Sequence, residues 1–123
     1  MIKSVSVSID VNNVQGAINF YTKALGCEFK TSLSENWAIV SIGVLDIHLQ
    51  GKEAGTSGAG EETRHYNRHW TPLHLDFSVD DISALCSVIE DNGGSVESQS
   101  FGQQADIAMC ADPFGNGFCV IRE

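Results

Sequence analysis

VSVSIDVNNVQGAINFYTKALG, residues 5–26, and LHLDFSVDDISALCSVIEDNGG, residues 73–94, carry one pattern written twice. In the first copy Val5, Val7, Ile9 and Val11 alternate with Ser6, Ser8 and Asp10, a period of two that predicts a strand with one apolar and one polar face. Asn12 or Asn13 then caps a predicted helix, in which Val14, Ala17, Ile18, Tyr21 and Leu25 follow helical spacing up to a stop at Gly26. In the second copy Leu75, Phe77 and Val79 alternate with His74, Asp76 and Ser78, and Asp80 or Asp81 caps a helix carrying Ile82, Leu85, Cys86, Val88 and Ile89. An offset of 68 lays Val11 on Val79, Asn13 on Asp81 and Gly26 on Gly94.

Working outward, strands are predicted near 28–32 and in WAIVSIGV and LDIHLQ of the first half. The second half has them near Ser95–Gln99, Ala105–Ala111 and Gly117–Arg122, with a DPFGN turn before the last. Each half is therefore a β-α-β-β-β module, 1–50 and 73–123, and the whole is an α+β domain. The glycine-rich and then charged stretch 51–72 reads as a linker. With each helix covering one face of its strands, the polar faces of both halves are expected to line a common cleft.

Composition narrows the function classes. The chain has 123 residues and 42% hydrophobic content, enough for one globular domain. Sixteen acidic against seven basic side chains give a net charge of −9, which opposes nucleic acid and anionic lipid. No apolar run is long enough for a membrane span, and the alternating start reads as a strand and not a signal peptide, so a cytoplasmic address is expected. Cys27, Cys86, Cys110 and Cys119 are widely spaced and read as reduced thiols, Cys86 as a core residue of the second helix.

Together, the two repeated stretches, the phrase FYTKALG within the first, and the closing DPFGNGFCVIRE resemble the vicinal oxygen chelate superfamily, which includes glyoxalase I, bleomycin-resistance proteins, fosfomycin-resistance transferases and extradiol dioxygenases. The resemblance spans nearly the whole chain. It implies paired modules forming an open, cupped eight-stranded mixed sheet with helices outside, usually in a homodimer. It also implies that metal-dependent members place one ligand on the first and fourth strand of each module. Those positions are Ser6, His48, His74 and Cys119 here, and only His74 matches the usual residue. Both fourth-strand carboxylates are missing.

Two histidines and a thiol suit tetrahedral zinc better than an oxygen-rich octahedral ion, and a serine hydroxyl is a poor ligand at neutral pH. No metal is therefore favoured; if one binds, His48, His74 and Cys119 are its ligands, with Asp10, Asp46 or Asp76 as possible substitute carboxylates. His65 and His69, four apart in RHYNRHW, lack an apolar stripe and read as loop residues. Trp37 and Trp70 offer aromatic walls, and Trp70 a lid or dimer contact. The expected cleft comprises Ser6, Ser8, Asp10, Trp37, Asp46, His48, Trp70, His74, Asp76 and Cys119. Three readings follow. One is a metal-free, bleomycin-resistance-like dimer whose acidic cleft takes a cationic, partly apolar small molecule. The others are a divalent-metal-dependent lyase, isomerase or transferase acting on a small oxygenated substrate, and a purely structural or partner-binding dimer.

Overall fold

The first alternating stretch forms β1 (Ser6–Val11), one residue shorter at its start than the pattern predicts. Val5 lies outside it and is exposed, because no neighbouring strand continues to cover it. These and the following features belong to a computed structural model that describes residues 1–102 and 106–122. The chain divides into two units, Met1–Tyr66 and Asn67–Glu123. Among the described residues no helix is long and apolar enough to cross a membrane.

In the first unit α1 (Val14–Lys23) begins where Asn13 Oδ1 accepts the Gly16 N–H at 2.9 Å, satisfying a donor that the first helical turn leaves open. It ends as Gly26, at φ +73°, turns the chain away, a conformation costly for a residue with a Cβ. Then follow β2 (Glu28–Ser34), β3 (Trp37–Ile42) and β4 (Leu45–Gly51). The sheet order is β1-β4-β3-β2, with β1 parallel to β4 and the other pairs antiparallel. A parallel partner needs a crossover, and α1 lies on that path. Val40 pairs with Ile47 and Ala38 with Leu49, all fully buried on the face against which α1 packs through Val14, Ala17, Phe20 and Tyr21.

The second unit repeats the order with β5 (Leu75–Ser78), α2 (Ile82–Asp91), β6 (Ser95–Phe101), β7 (Asp106–Ala111) and β8 (Gly117–Arg122). Its sheet order is β5-β8-β7-β6, again with the first and last strands parallel. Asp81 caps α2 by accepting the Ala84 N–H at 3.0 Å, as its repeat mate Asn13 caps α1. Ile82, Cys86 and Ile89 of α2 are buried with Ala108, Cys110, Phe118 and Val120. Phe77 meets Phe118 edge to face at 5.6 Å. Among the described residues the eight strands thus hydrogen-bond as two four-stranded sheets, each with one helix. Ala105, the expected start of a strand, lies outside the described residues.

The DPFGN turn is held by its first residue. Buried Asp112 accepts from the Phe114 and Asn116 backbone N–H groups at 2.8 and 3.0 Å, and from the Asn116 amide at 3.0 Å. Gly115 sits at φ +84°, where a Cβ would also run into the Asn67 carbonyl.

The parts of the stretch 51–72, expected as a linker, each bond to their own unit. Residues 52–66 fold back on the first unit: the Lys52 N–H donates to the Val11 carbonyl at 2.9 Å, and Arg64 ion-pairs with Asp10 at 2.7 Å. Beyond Tyr66 the chain belongs to the second unit, where Arg68 forks onto Glu97 at 2.6 and 3.0 Å and the His69 N–H donates to the Gly115 carbonyl. Gly55 and Gly60, at φ +87° and +58°, let short turns form in this stretch. His65 and His69 are on no helix, as their missing stripe predicts.

All four cysteines are buried free thiols. Burial pushes Cys27 from 9.0 up to about 11 and Cys110 from 9.0 up to about 12, the latter reinforced by the neighbouring Cys86. A thiol that resists ionisation in the fold contributes stability that is whole below its ordinary pKa and disappears as pH climbs through the folded value. Urea unfolding should therefore show stability falling between pH 9 and 12, with a shallower fall in Cys110→Ala than in the parent. Separately, Ile47→Ala, at a site with no solvent exposure, should cost about 2–5 kcal/mol in the same assay near neutral pH.

Candidate binding faces and a candidate metal group

Once α1 and α2 cover one face of each sheet, the alternation leaves the opposite faces polar. In the first unit that face reads in rows set by the register. Ser6 stands opposite Asp46, Ser8 opposite His48, and Asp10 opposite Gln50, with Ile39 beside His48 and Trp37 beside Gln50. In the second unit Asp76 stands opposite Cys119, which stands opposite Met109. Ser8 and Asp76 are equivalent under the repeat, and so their partners His48 and Cys119 are too. The repeat-related triples are therefore Ser6, Ser8 and His48 in one unit and His74, Asp76 and Cys119 in the other.

The second triple is a close group. Its ligand atoms, one per residue, lie within 4.8 Å of one another. His74, immediately before β5, has its Nδ1 2.9 Å from Asp76 Oδ1. An ionised carboxylate can only accept, so Nδ1 carries the proton and, in the neutral ring, Nε2 presents a lone pair. Cys119 is 7% exposed, and burial pushes its thiol pKa up, with the Asp76 charge and its hydrogen bond to Asp76 adding to the rise. Asp76 therefore collects a proton from each side. One nitrogen, one oxygen and one sulfur ligand fit a divalent ion such as zinc with a fourth position open, on condition that Cys119 gives up its proton.

Of the residues expected from sequence, His74 and Cys119 come together with Asp76, one of the substitute carboxylates, and His48 is hydrogen-bonded within the first unit. There the Trp37 indole N–H donates to His48 Nδ1 at 2.9 Å, with the rings 5.8 Å apart. The carboxylates expected to give a free acidic surface are also spoken for: Asp10 is held by Arg64, and Asp46 by Lys30 at 3.1 Å. Neither cation was visible as a partner in the sequence, since Lys30 reaches across from a bulged stretch of β2 and Arg64 from the supposed linker. Ser8 accepts a hydrogen bond from the Gln50 amide at 3.2 Å. Trp70 is 79% exposed in the segment before β5. Met109 was missed; alternation in β7 carried the signal, since register alone places it beside Cys119.

A cavity of about 320 Å³ lies elsewhere, at the start of α2, among Asp80, Asp81, Ser83, Phe101, Asp106 and Arg122. The Arg122 guanidinium is paired with Asp106, through Nη2 at 2.5 Å and Nε at 3.0 Å.

A family model described as a glyoxalase-like domain matches residues 6–121. Among solved structures, the chain is similar to the fosfomycin resistance protein FosX from Listeria monocytogenes, at 16% identity and TM-score 0.76, covering 100% of this chain and 95% of that one. It is also similar to a lactoylglutathione lyase from Agrobacterium tumefaciens, at 19% identity and TM-score 0.68, covering 98% and 92%. A glyoxalase/bleomycin resistance protein from Albidiferax ferrireducens T118 matches at 18% identity and TM-score 0.68, covering 96% of each. At these identities the likeness is one of fold. No curated protein matches the sequence.

The Asp76 contacts make a test of the thiol possible. In Asp76→Asn the charge that raises the Cys119 pKa is gone while burial stays, so iodoacetamide should label Cys119 roughly three- to tenfold faster at mildly alkaline pH. Peptide mass spectrometry reads this, and an unchanged rate would show that burial alone protects the thiol.

Proposed function

Because the chain belongs to the glyoxalase-like domain family, we propose that it is a small-molecule-binding protein in the manner of bleomycin-resistance proteins, working without a metal through the polar faces of its sheets. The observation that carries this reading is the state of the two fourth-strand positions. His48 accepts from Trp37 through the nitrogen whose proton would have to return for Nε2 to coordinate, and Cys119 is a buried thiol kept protonated beside Asp76. Both are arranged for hydrogen bonding. Around them stand exposed Trp37 and Met109, which give a partly apolar ligand something to lie against.

A preference for a cationic ligand would draw on the acidity of the chain as a whole. Arg64 and Lys30 neutralise Asp10 and Asp46, so what remains of the acidic character is the overall charge of −9. A homodimer is part of the proposal, supported by exposed Trp70 and Leu73, and light scattering on the purified chain tests it.

The second reading, a divalent-metal enzyme acting on a small oxygenated substrate, is favoured by one observation: the close grouping of His74, Asp76 and Cys119. Bound zinc would supply Lewis-acid chemistry there. A thermal-shift screen of cationic, neutral and anionic aromatic compounds, run with and without chelator, separates the two. Metal-free binding predicts stabilisation that survives chelator, about 2.7 kcal/mol at one hundred times Kd. Stabilisation by zinc alone, abolished in His74→Ala and Asp76→Ala, would replace the first reading with the second.

A further inference from the structure

The two histidines at the family's ligand positions present opposite chemistry. We infer that His48, held by Trp37 in the Nε2–H form, is not a metal ligand but the hydrogen-bond donor of a subsite for an uncharged oxygen acceptor on a planar apolar molecule. This rests on the small-molecule-binding reading and names the ligand class that the first unit's polar face would take.

The tautomer follows from elementary chemistry. An indole N–H can donate and cannot accept, so the His48 Nδ1 that receives it at 2.9 Å carries a lone pair. In the neutral ring the proton is then on Nε2. For Nε2 to bind a metal instead, the proton would have to move to Nδ1 and face the indole N–H, donor against donor. His74 is the mirror case, with Nδ1–H turned to Asp76 and the Nε2 lone pair outward.

The neighbours of His48 extend the donor character. Ser8 is directly opposite it in the parallel register, on the same face. The Gln50 amide occupies one Ser8 oxygen lone pair at 3.2 Å, which leaves the Ser8 hydroxyl hydrogen to be donated. His48 Nε2–H and Ser8 O–H thus form adjacent donors, and an oxygen with two lone pairs can take both. Beside them, Ile39 opposite His48 and the exposed Trp37 ring supply an apolar surface for a flat group.

Charge selects among oxygen acceptors. The cations of this face, Lys30 and Arg64, are already committed to Asp46 and Asp10. An anion would meet cations already neutralised by these carboxylates, against the field of a chain at −9. A cation would meet two N–H and O–H donors with their positive ends outward. A neutral carbonyl or amide oxygen meets neither penalty.

Three probes with one ring separate these cases: acetophenone, benzoate and benzylammonium, each titrated into the ¹⁵N-labelled full chain at neutral pH. Long-range imidazole ¹⁵N spectra read the tautomer directly, and the indole N–H signals of Trp37 and Trp70, assigned with Trp37→Phe, read the site of contact. The expected result is a His48 ring protonated at Nε2 in the parent and a mixture of tautomers in Trp37→Phe. Acetophenone should shift the Trp37 signal saturably, with about five- to tenfold weaker binding in His48→Phe, which keeps a ring but loses the donor. Benzoate and benzylammonium should shift it less at equal concentration.

A His48 ring protonated at Nδ1 would overturn the inference, as would His48 ¹⁵N shifts induced by one equivalent of zinc. So would a Trp37 signal indifferent to acetophenone up to its solubility limit. If that indifference comes with ligand shifts confined to Met109 and Cys119, the binding reading stands and only this subsite fails. If no probe shifts either face, both fail together.

Discussion

One constraint governs the rest: a strand has two faces, and in each unit a single ten-residue helix can cover only one. In the first unit, α1 takes the face built from Val40, Ile47, Ala38 and Leu49, all with no solvent exposure. In the second, α2 takes Ala108, Cys110, Phe118 and Val120. Burial of these side chains drives each sheet onto its helix, and the period of two then forces serines, aspartates and the ligand-position residues onto the opposite face. The sites discussed above are consequences of that exclusion before they are anything chemical.

Duplication then allows the two faces to diverge. Equivalent backbone positions hold Ser8 and Asp76, His48 and Cys119, with the same parallel register in both units. One triple holds two serines and an imidazole bonded by tryptophan. The other holds a carboxylate between an imidazole and a thiol. Of these two triples, the second has a donor set that fits a metal. Fold membership alone does not choose between binding and catalysis, because the scaffold is shared while the side chains on this face differ.

The polar faces are also less acidic than composition suggests. Each of Asp10 and Asp46 has a basic partner brought from a different segment, and Arg68 with Glu97 shows the same habit in the second unit. There the Arg68 hydrogen bond holds the Glu97 carboxyl below its usual range. Exposed pairs of this kind add little stability, commonly below about 1 kcal/mol, but they decide which charges a small molecule would meet.

Much of this was legible in residue order alone. Local rules sufficed for both helices and their caps, because Asn13 and Asp81 each stand one residue before an apolar helical stripe. Alternation sufficed for the polar faces, including Ser6, Ser8, His48, Asp76 and Cys119, because side-chain direction in a strand depends only on parity. The tertiary structure decided what those side chains touch. That Trp37 bonds His48, that Asp76 joins His74 and Cys119, and that Arg64 reaches back 54 residues to Asp10 depend on strand register and chain path. Parity fixes a face; only pairing between distant segments fixes a neighbour.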